Sequence, residues 1–243
     1  VVGPARRGGP RILLYRAVRD MSTQWRGMIR LASISAIVVA CLIPLQAAVF
    51  LLSPPPSTVL GFFDLFQRNP GLGLLDLDLL LTLDYLVMLP LYLALYLIIR
   101  HRAPSAALLA VLLGLFSVLL FLVTREATFS MWILSDQYQH ADPTQQAALL
   151  ASGQSLLTWY NGGTFGLSYV LGAISTLLFS AALLRHRIFG RAPGVVGLIT
   201  GVTMLVPANV GMVGLVVAML SLIPTMLWLI LLARAFHRQL AET

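Results

Sequence analysis

Fourteen of the 16 arginines in this chain stand in four short segments that alternate with long apolar runs. Seven lie at the start, up to Arg30. Arg100 and Arg102 share one turn, and Arg185, Arg187 and Arg191 share another. Arg234 and Arg238 lie at the C-terminal end, and only Arg68 and Arg125 fall in the segments between. Basic residues beside an apolar span resist transfer across a bilayer and stay on the cytoplasmic side. The alternation predicts an all-α, polytopic transmembrane helical bundle with its N-terminus and C-terminus both cytoplasmic. An odd number of spans would carry one basic segment to the far side. Six is the even number that the apolar runs accommodate.

The composition agrees. Hydrophobic residues make up 58% of the 243 and charged residues only 10%, against about 25% charged in soluble proteins. So few polar groups cannot clothe a large core in water, and each helical crossing takes about 20 apolar residues. The domain reading is a basic, partly disordered cytoplasmic segment over residues 1–28, a six-span bundle over 29–236 with an outer loop at 136–154, and a cytoplasmic tail over 237–243. The net charge of +7 does not indicate nucleic-acid binding, because the arginines flank apolar spans instead of lining one soluble face with aromatics between them. Membrane lipids are the partners this arrangement implies. Cys41 is the only cysteine. It excludes an intramolecular disulfide, and its mid-span position predicts inert packing. The opening VVGPARRGGPRILLYRAVRD reads as a cytoplasmic leader, and Met21 as an alternative start.

The first span is predicted from about Ile29 to Leu52, with Trp25 at its edge and Pro44 inside it. The run Pro54-Pro55-Pro56 ends it. Phe62, Phe63 and Phe66 follow in a partly apolar segment expected along the membrane surface. The second span runs from about Leu74 or Leu77 to Ile99 and the third from Pro104. The third has no breaker until about Asp136, so it projects beyond the hydrocarbon. Asp142-Pro143-Thr144-Gln145 has the form of a capped helix start and predicts a short helix over Pro143 to Ser152. The fourth span covers about Leu156 to Leu184, with Trp159 and Tyr160 at the outer boundary. The stretch from Val195 to Phe236 suits two crossings broken at Pro207-Ala208-Asn209-Val210-Gly211. Gly162 and Gly166, and Gly197 and Gly201, make faces that permit close helix contact.

The candidate site lies near the outer ends of the second and third spans. Asp84 falls about two turns inside the hydrocarbon, where a lone carboxylate costs several kcal/mol and must be neutral, hydrated or paired. Arg125 stands at a similar depth on the antiparallel third span. Two readings stay open: a proton- or ligand-linked polar site, or a pair that locks two helices. Asp76, Asp78 and Glu126 share the rim. Asp76 and Asp84 are eight residues apart, about 80° around one continuous helix, and Asp78 points roughly away from Asp76. These carboxylates read either as a cation site or as helix caps. Tyr85, Tyr92 and Tyr96 share one helix face, as packing or as the lining of a hydrophobic cleft. No catalytic residue, metal site or cofactor is assigned. His140 stands apart from the other three histidines, whereas a catalytic zinc needs about three protein ligands. No serine sits in a Gly-x-Ser-x-Gly motif.

The stretches NPGLGLLDLDLLLTLDYLVMLPLYLALY (Asn69 to Tyr96), TREATFSM (Thr124 to Met131) and WYNGGTFGLSYVLGAISTLLFSAALLRHRIFGR (Trp159 to Arg191) resemble a family of bacterial multi-span integral membrane proteins of unknown function. The resemblance covers most of the chain after about Arg26. It implies a six-helix membrane fold and no reaction.

Three functions compete. The first is a bacterial cytoplasmic-membrane protein that is non-enzymatic or handles a small ligand or a proton near the outer leaflet, as a transporter or accessory subunit does. The second is a membrane-embedded enzyme acting on a lipid or isoprenoid. The third is a structural or regulatory partner of another membrane protein. Against a self-sufficient transporter stands the lack of a convincing internal repeat, which oligomerisation would offset.

Overall fold

The computed structural model describes residues 25–241. Most of the basic leader, Met21 included, lies outside them. Ten helices follow in order: α1 (Arg26–Leu52), α2 (Val59–Arg68), α3 (Pro70–Asp76), α4 (Leu79–Ile99), α5 (Pro104–Thr124), α6 (Glu126–Gln139), α7 (Pro143–Tyr160), α8 (Gly163–His186), α9 (Ala192–Thr203) and α10 (Gly211–Ala241). Among the described residues there is no strand, only one isolated bridge between Ile188 and Gly190.

Six helices form a ring in the order α1, α4, α5, α8, α9, α10 and back to α1. The ring is filled by Leu91, Leu95, Phe179, Trp228 and Leu229 among others, all fully or nearly fully buried. The outward faces are apolar as well. Leu31, Ile34 and Ile37 on α1, Leu108, Leu112, Phe116 and Leu119 on α5, and Leu220 and Ile223 on α10 are all exposed. Apolar surface of that extent is stable only against lipid. Five helical stretches are long and apolar enough to cross a membrane: Arg26–Leu52, Leu79–Ile99, Pro104–Gln139, Pro143–His186 and Gly211–Ala241. Cys41, expected among packed side chains, lies on the exposed face of α1.

The remaining ring member departs from the expected regular span. Helix α9 has 12 residues, about 18 Å of length, against a hydrocarbon core of about 30 Å. An irregular segment, residues 204–210, continues its course. That segment reaches the start of α8, where the Asn209 side chain donates to the carbonyls of Asn161 and Gly162 at 2.9 and 3.1 Å. Gly194, Gly197 and Gly201 bring α9 close enough to α8 that a methyl group would collide with Leu184, Ser180 and Leu177 respectively.

Helices α5 and α8 meet through a reciprocal contact. Ser117 lies over Gly172 and donates to the carbonyl of Ser168; Ser175 lies over Gly114 and donates to the carbonyl of Ala110, both at 2.7 Å. In each case the accepting carbonyl belongs to the residue four before the glycine. The same Gly-x-x-Ser spacing on two antiparallel helices therefore satisfies both hydroxyls. Hydrogen bonds of this kind between membrane helices are worth about 0.6–2 kcal/mol each.

The other four helices, α2, α3, α6 and α7, form a cap over one end of the ring. Thr58 caps α2 by accepting from Gly61 N–H, and Asn69 caps α3 by accepting from Leu72 N–H, both at 3.1 Å. Phe62, Phe63 and Phe66, expected along the membrane surface, are buried inside the cap with Leu77 and Met131. The capping box at Asp142 forms, with Asp142 accepting from the N–H groups of Thr144 and Gln145 at 2.9 Å. The helix it starts does not end at Ser152. It runs to Tyr160, because no breaker occurs before Asn161-Gly162. Residues 136–154, expected as an outer loop, are helical apart from 140–142.

At the opposite end the described parts of the four basic segments converge. Residues from the start of α1, the α4–α5 turn, the α8–α9 turn and the end of α10 line one cavity there. Arg26 also donates to the carbonyl of Leu240, 3.3 Å away, which places the two ends of the described chain side by side.

Candidate functional site

The site is set by two helix breaks. The first separates α3 from α4, where Asp78 adopts the left-handed conformation at φ 62°. The second separates α5 from α6 at Arg125. Asp78 holds the N-cap position of α4, yet its side chain makes no capping bond. It turns instead to Arg125, whose Nη2 lies 3.3 Å from Asp78 Oδ2, with the arginine side chain only 2% exposed. This is the ion pair among the described residues. The partner of Arg125 is therefore Asp78 and not Asp84.

Tyr160, the last residue of α7, completes the pair. Its hydroxyl donates to the same Asp78 oxygen, and its carbonyl accepts from Arg125 Nη1 at 3.3 Å. Its ring lies under the guanidinium, 3.9 Å from ring centroid to Cζ. Phe121 and Phe165 approach the same Cζ at 4.4 and 4.8 Å. Tyr85 stacks on Phe121 with centroids 3.7 Å apart. Arg125 is thus enclosed by three aromatic faces and one carboxylate, an arrangement that compensates much of the cost of removing a guanidinium from water. Burial pushes the Asp78 carboxyl up, while Arg125 and Tyr160 pull it down. Thr128 on α6 adds a bond to the carbonyl of Leu77 at 2.6 Å. These contacts tie the first turns of α4, α6 and α8 to the end of α7, so the cap is clasped to the ring.

The other acidic residues behave differently. Asp76 ends α3 and is 3% exposed. Neither of its oxygens is held in a well-formed hydrogen bond. Burial pushes its carboxyl up to about 6, and the Ser53 hydroxyl pulls the other way. Gln46 on α1 donates to the neighbouring carbonyl of Leu75 at 3.2 Å and leaves its own Oε1 buried and unpartnered. Asp84 lies on α4, 6% exposed, with Oδ1 buried and unpartnered. By helical spacing it stands on the line of Leu91 and Leu95, both fully buried. The break at Asp78 removes the expected angular relation between Asp76 and Asp84, since the two no longer share a helix. Glu126 is not part of the buried group. It is exposed and accepts from Ser130 Oγ at 2.9 Å.

The tyrosine face packs. Tyr85 meets Phe121, Tyr92 lies 6.1 Å from Phe179 and against Gly114, and Tyr96 carries Arg100 over its ring at 5.7 Å. His140 donates from Nδ1 to the carbonyl of Asp136 at 3.1 Å. Among the described residues, no three His, Cys, Asp or Glu side chains gather to hold a metal ion. Sequence reasoning missed the roles of Phe121, Tyr160 and Phe165. The one available signal was the Asn161-Gly162-Gly163 break, which places Tyr160 at a helix end.

An apolar ring with a buried charge clasp under a helical cap defines a polytopic helical membrane protein. Residues 36–236 match the family described as Domain of unknown function (DUF4386), and the chain belongs to that family. Neither the curated proteins nor the solved structures contain a match.

Proposed function

We propose that this protein resides in the bacterial cytoplasmic membrane with its basic end in the cytoplasm. In this reading it handles a small ligand or a proton through Asp84, below the cap. The observation that carries the reading is the state of Asp84: a carboxyl on the inward line of a membrane helix with a buried, unpartnered oxygen. In such a place the group is neutral or satisfied by something that comes and goes. Asp76, also buried and without a well-formed hydrogen bond, would continue the polar path towards the cap. Arg125 and Asp78 are already paired with one another and serve as the clasp that holds this region in shape. In proteoliposomes containing a pH-sensitive dye, an imposed potential should drive proton uptake in wild type and not in Asp84→Asn, with both proteins equally folded. Equal fluxes in the two, or wild-type flux no greater than in protein-free vesicles, would contradict the proton form of the proposal.

A second reading, a structural or regulatory partner, draws on the cap surface. Phe129, Trp132 and Ile133 on α6 and Trp159 on α7 are exposed there. Crosslinking from Trp132 in native membranes would capture a protein neighbour if that face docks one, and lipid alone if it does not.

A further inference from the structure

The end of the ring remote from the cap holds a cavity of about 600 Å³, within the range of small-molecule sites. Its walls combine two chemistries. Ile29, Leu97, Ile98 and Leu231 supply an apolar lining, while Arg102, Arg187, Arg234 and Arg238 supply four guanidinium groups, with His101 and His186 beside them. Among the described residues no aspartate or glutamate lines it, and none of the four arginines is paired with a carboxylate.

A basic membrane face by itself needs only arginines that reach out towards lipid headgroups. Here the arginines come from three separate parts of the chain and line the same concavity. Arg30, Arg100, Arg185 and Arg191 belong to the same basic segments yet do not line it, so position, and not charge alone, distinguishes the four. The turn that supplies Arg187 folds back sharply, with Arg187 itself left-handed at φ 48° and Gly190 at φ 80°. Arginine is uncommon in that region. A planar fork of donors suits phosphate oxygens, which can take two parallel bonds from each guanidinium.

We infer that this cavity binds a phosphate-bearing anion, with the arginines on the phosphate and the apolar wall against the rest of the molecule. Two sources share that chemistry, the headgroup of an anionic lipid and a soluble phosphorylated compound. The site lies at the other end of the bundle from Asp84 and does not depend on the proposal made for it.

The test uses the full chain in detergent micelles or nanodiscs of neutral lipid. The probes are a short-chain phosphatidylglycerol and glycerol phosphate, titrated separately. Two quadruple variants remove equal charge: R102Q/R187Q/R234Q/R238Q from the cavity, and R30Q/R100Q/R185Q/R191Q from around it. Saturable binding of at least one probe is expected. The cavity variant should weaken it by well over tenfold, since each charge-assisted hydrogen bond is worth about a factor of ten or more. The control should change it by less than about threefold. Binding of the lipid probe alone identifies a headgroup as the source, and binding of glycerol phosphate identifies a soluble anion. Equal losses in the two variants, or no saturable binding of either probe, would overturn the inference. Should the cavity variant fold poorly, hydrogen exchange of wild type decides the matter. The probe should protect residues 185–191 and leave 126–160 unchanged, and protection of neither or of both would count against the site.

Discussion

The two ends of this bundle treat arginine in opposite ways. At the cap end Arg125 is buried, paired with Asp78 and enclosed by Tyr160, Phe121 and Phe165. At the basic end Arg102, Arg187, Arg234 and Arg238 are exposed and, among the described residues, face no acid across their cavity. Each end also carries one non-glycine residue in the left-handed region, Asp78 at the cap and Arg187 at the base. Aspartate tolerates that conformation better than arginine does. At the cap it aims a carboxylate at a cation already present, whereas at the base it belongs to an exposed cation that lines the cavity. A buried charge paired with a carboxylate and packed between aromatic rings holds a structure together. A set of charges left unanswered is free to meet something else.

The contrast breaks first at Arg125. Arg125→Ala leaves the Asp78 carboxylate buried without its partner, and losses of this kind run to about 3–5 kcal/mol. Chemical unfolding in detergent should show a loss of that order, with R125Q/D78N recovering part of it. A single variant as stable as wild type would show that the pair holds nothing.

The next largest effect is expected in the helix contacts between the two ends. Gly197→Ala would put its new carbon against Ser180 Oγ and the Trp228 indole nitrogen. Overpacking of this sort costs roughly 1–3 kcal/mol, and the same unfolding assay should register it. An unchanged midpoint would mean that α9 moves away from α8 freely.

Asp76 sharpens the comparison through pH. Its carboxyl, raised to about 6 by burial, binds a proton more tightly in the folded protein than in the unfolded chain. Between about pH 4 and 6 the folded state therefore holds more protons. Stability falls as pH rises through that window and levels off above it. The Asp76→Asn variant should lose most of this slope, and an equal slope in both proteins would assign it to another group.

The smallest effect is expected at the basic end. Arg102→Gln or Arg234→Gln removes an exposed charge that has no acidic partner among the described residues and should shift stability by no more than about 0.5 kcal/mol. A loss comparable to that of Arg125→Ala would mean that the cavity arginines hold the fold as the clasp does.

Much of the architecture was legible in the arginine spacing, because the cost of moving charge across lipid acts on each short segment separately. The described parts of the four basic segments do meet at one end, and the helix starts at Pro104 and Pro143 follow from local chemistry. The site was less legible. Asp84 looked like the partner of Arg125 only while Asp76 to Ile99 was read as one helix. A left-handed residue at Asp78 re-aims the side chain, and no local pattern announces a left-handed aspartate between leucines. Tyr160 read as an interface anchor because its partners lie 35 and 82 residues away. The cap was obscured for a related reason. Phe62, Phe63 and Phe66 are as apolar as any lipid-facing run, and only the packing of α6 and α7 over them shows that they are covered.

Labelling from one side of the membrane tests the separation of the two ends most directly. In a Cys41→Ser background, Thr144→Cys reports on the cap and Ser105→Cys on the basic end, both positions being exposed. A membrane-impermeant maleimide added to intact cells should label the first and reach the second only after permeabilisation. Labelling of both positions from outside would contradict an account in which the cap and the arginine cavity face opposite sides of the bilayer, and labelling of Ser105→Cys alone would contradict the proposed orientation with the arginine cavity in the cytoplasm.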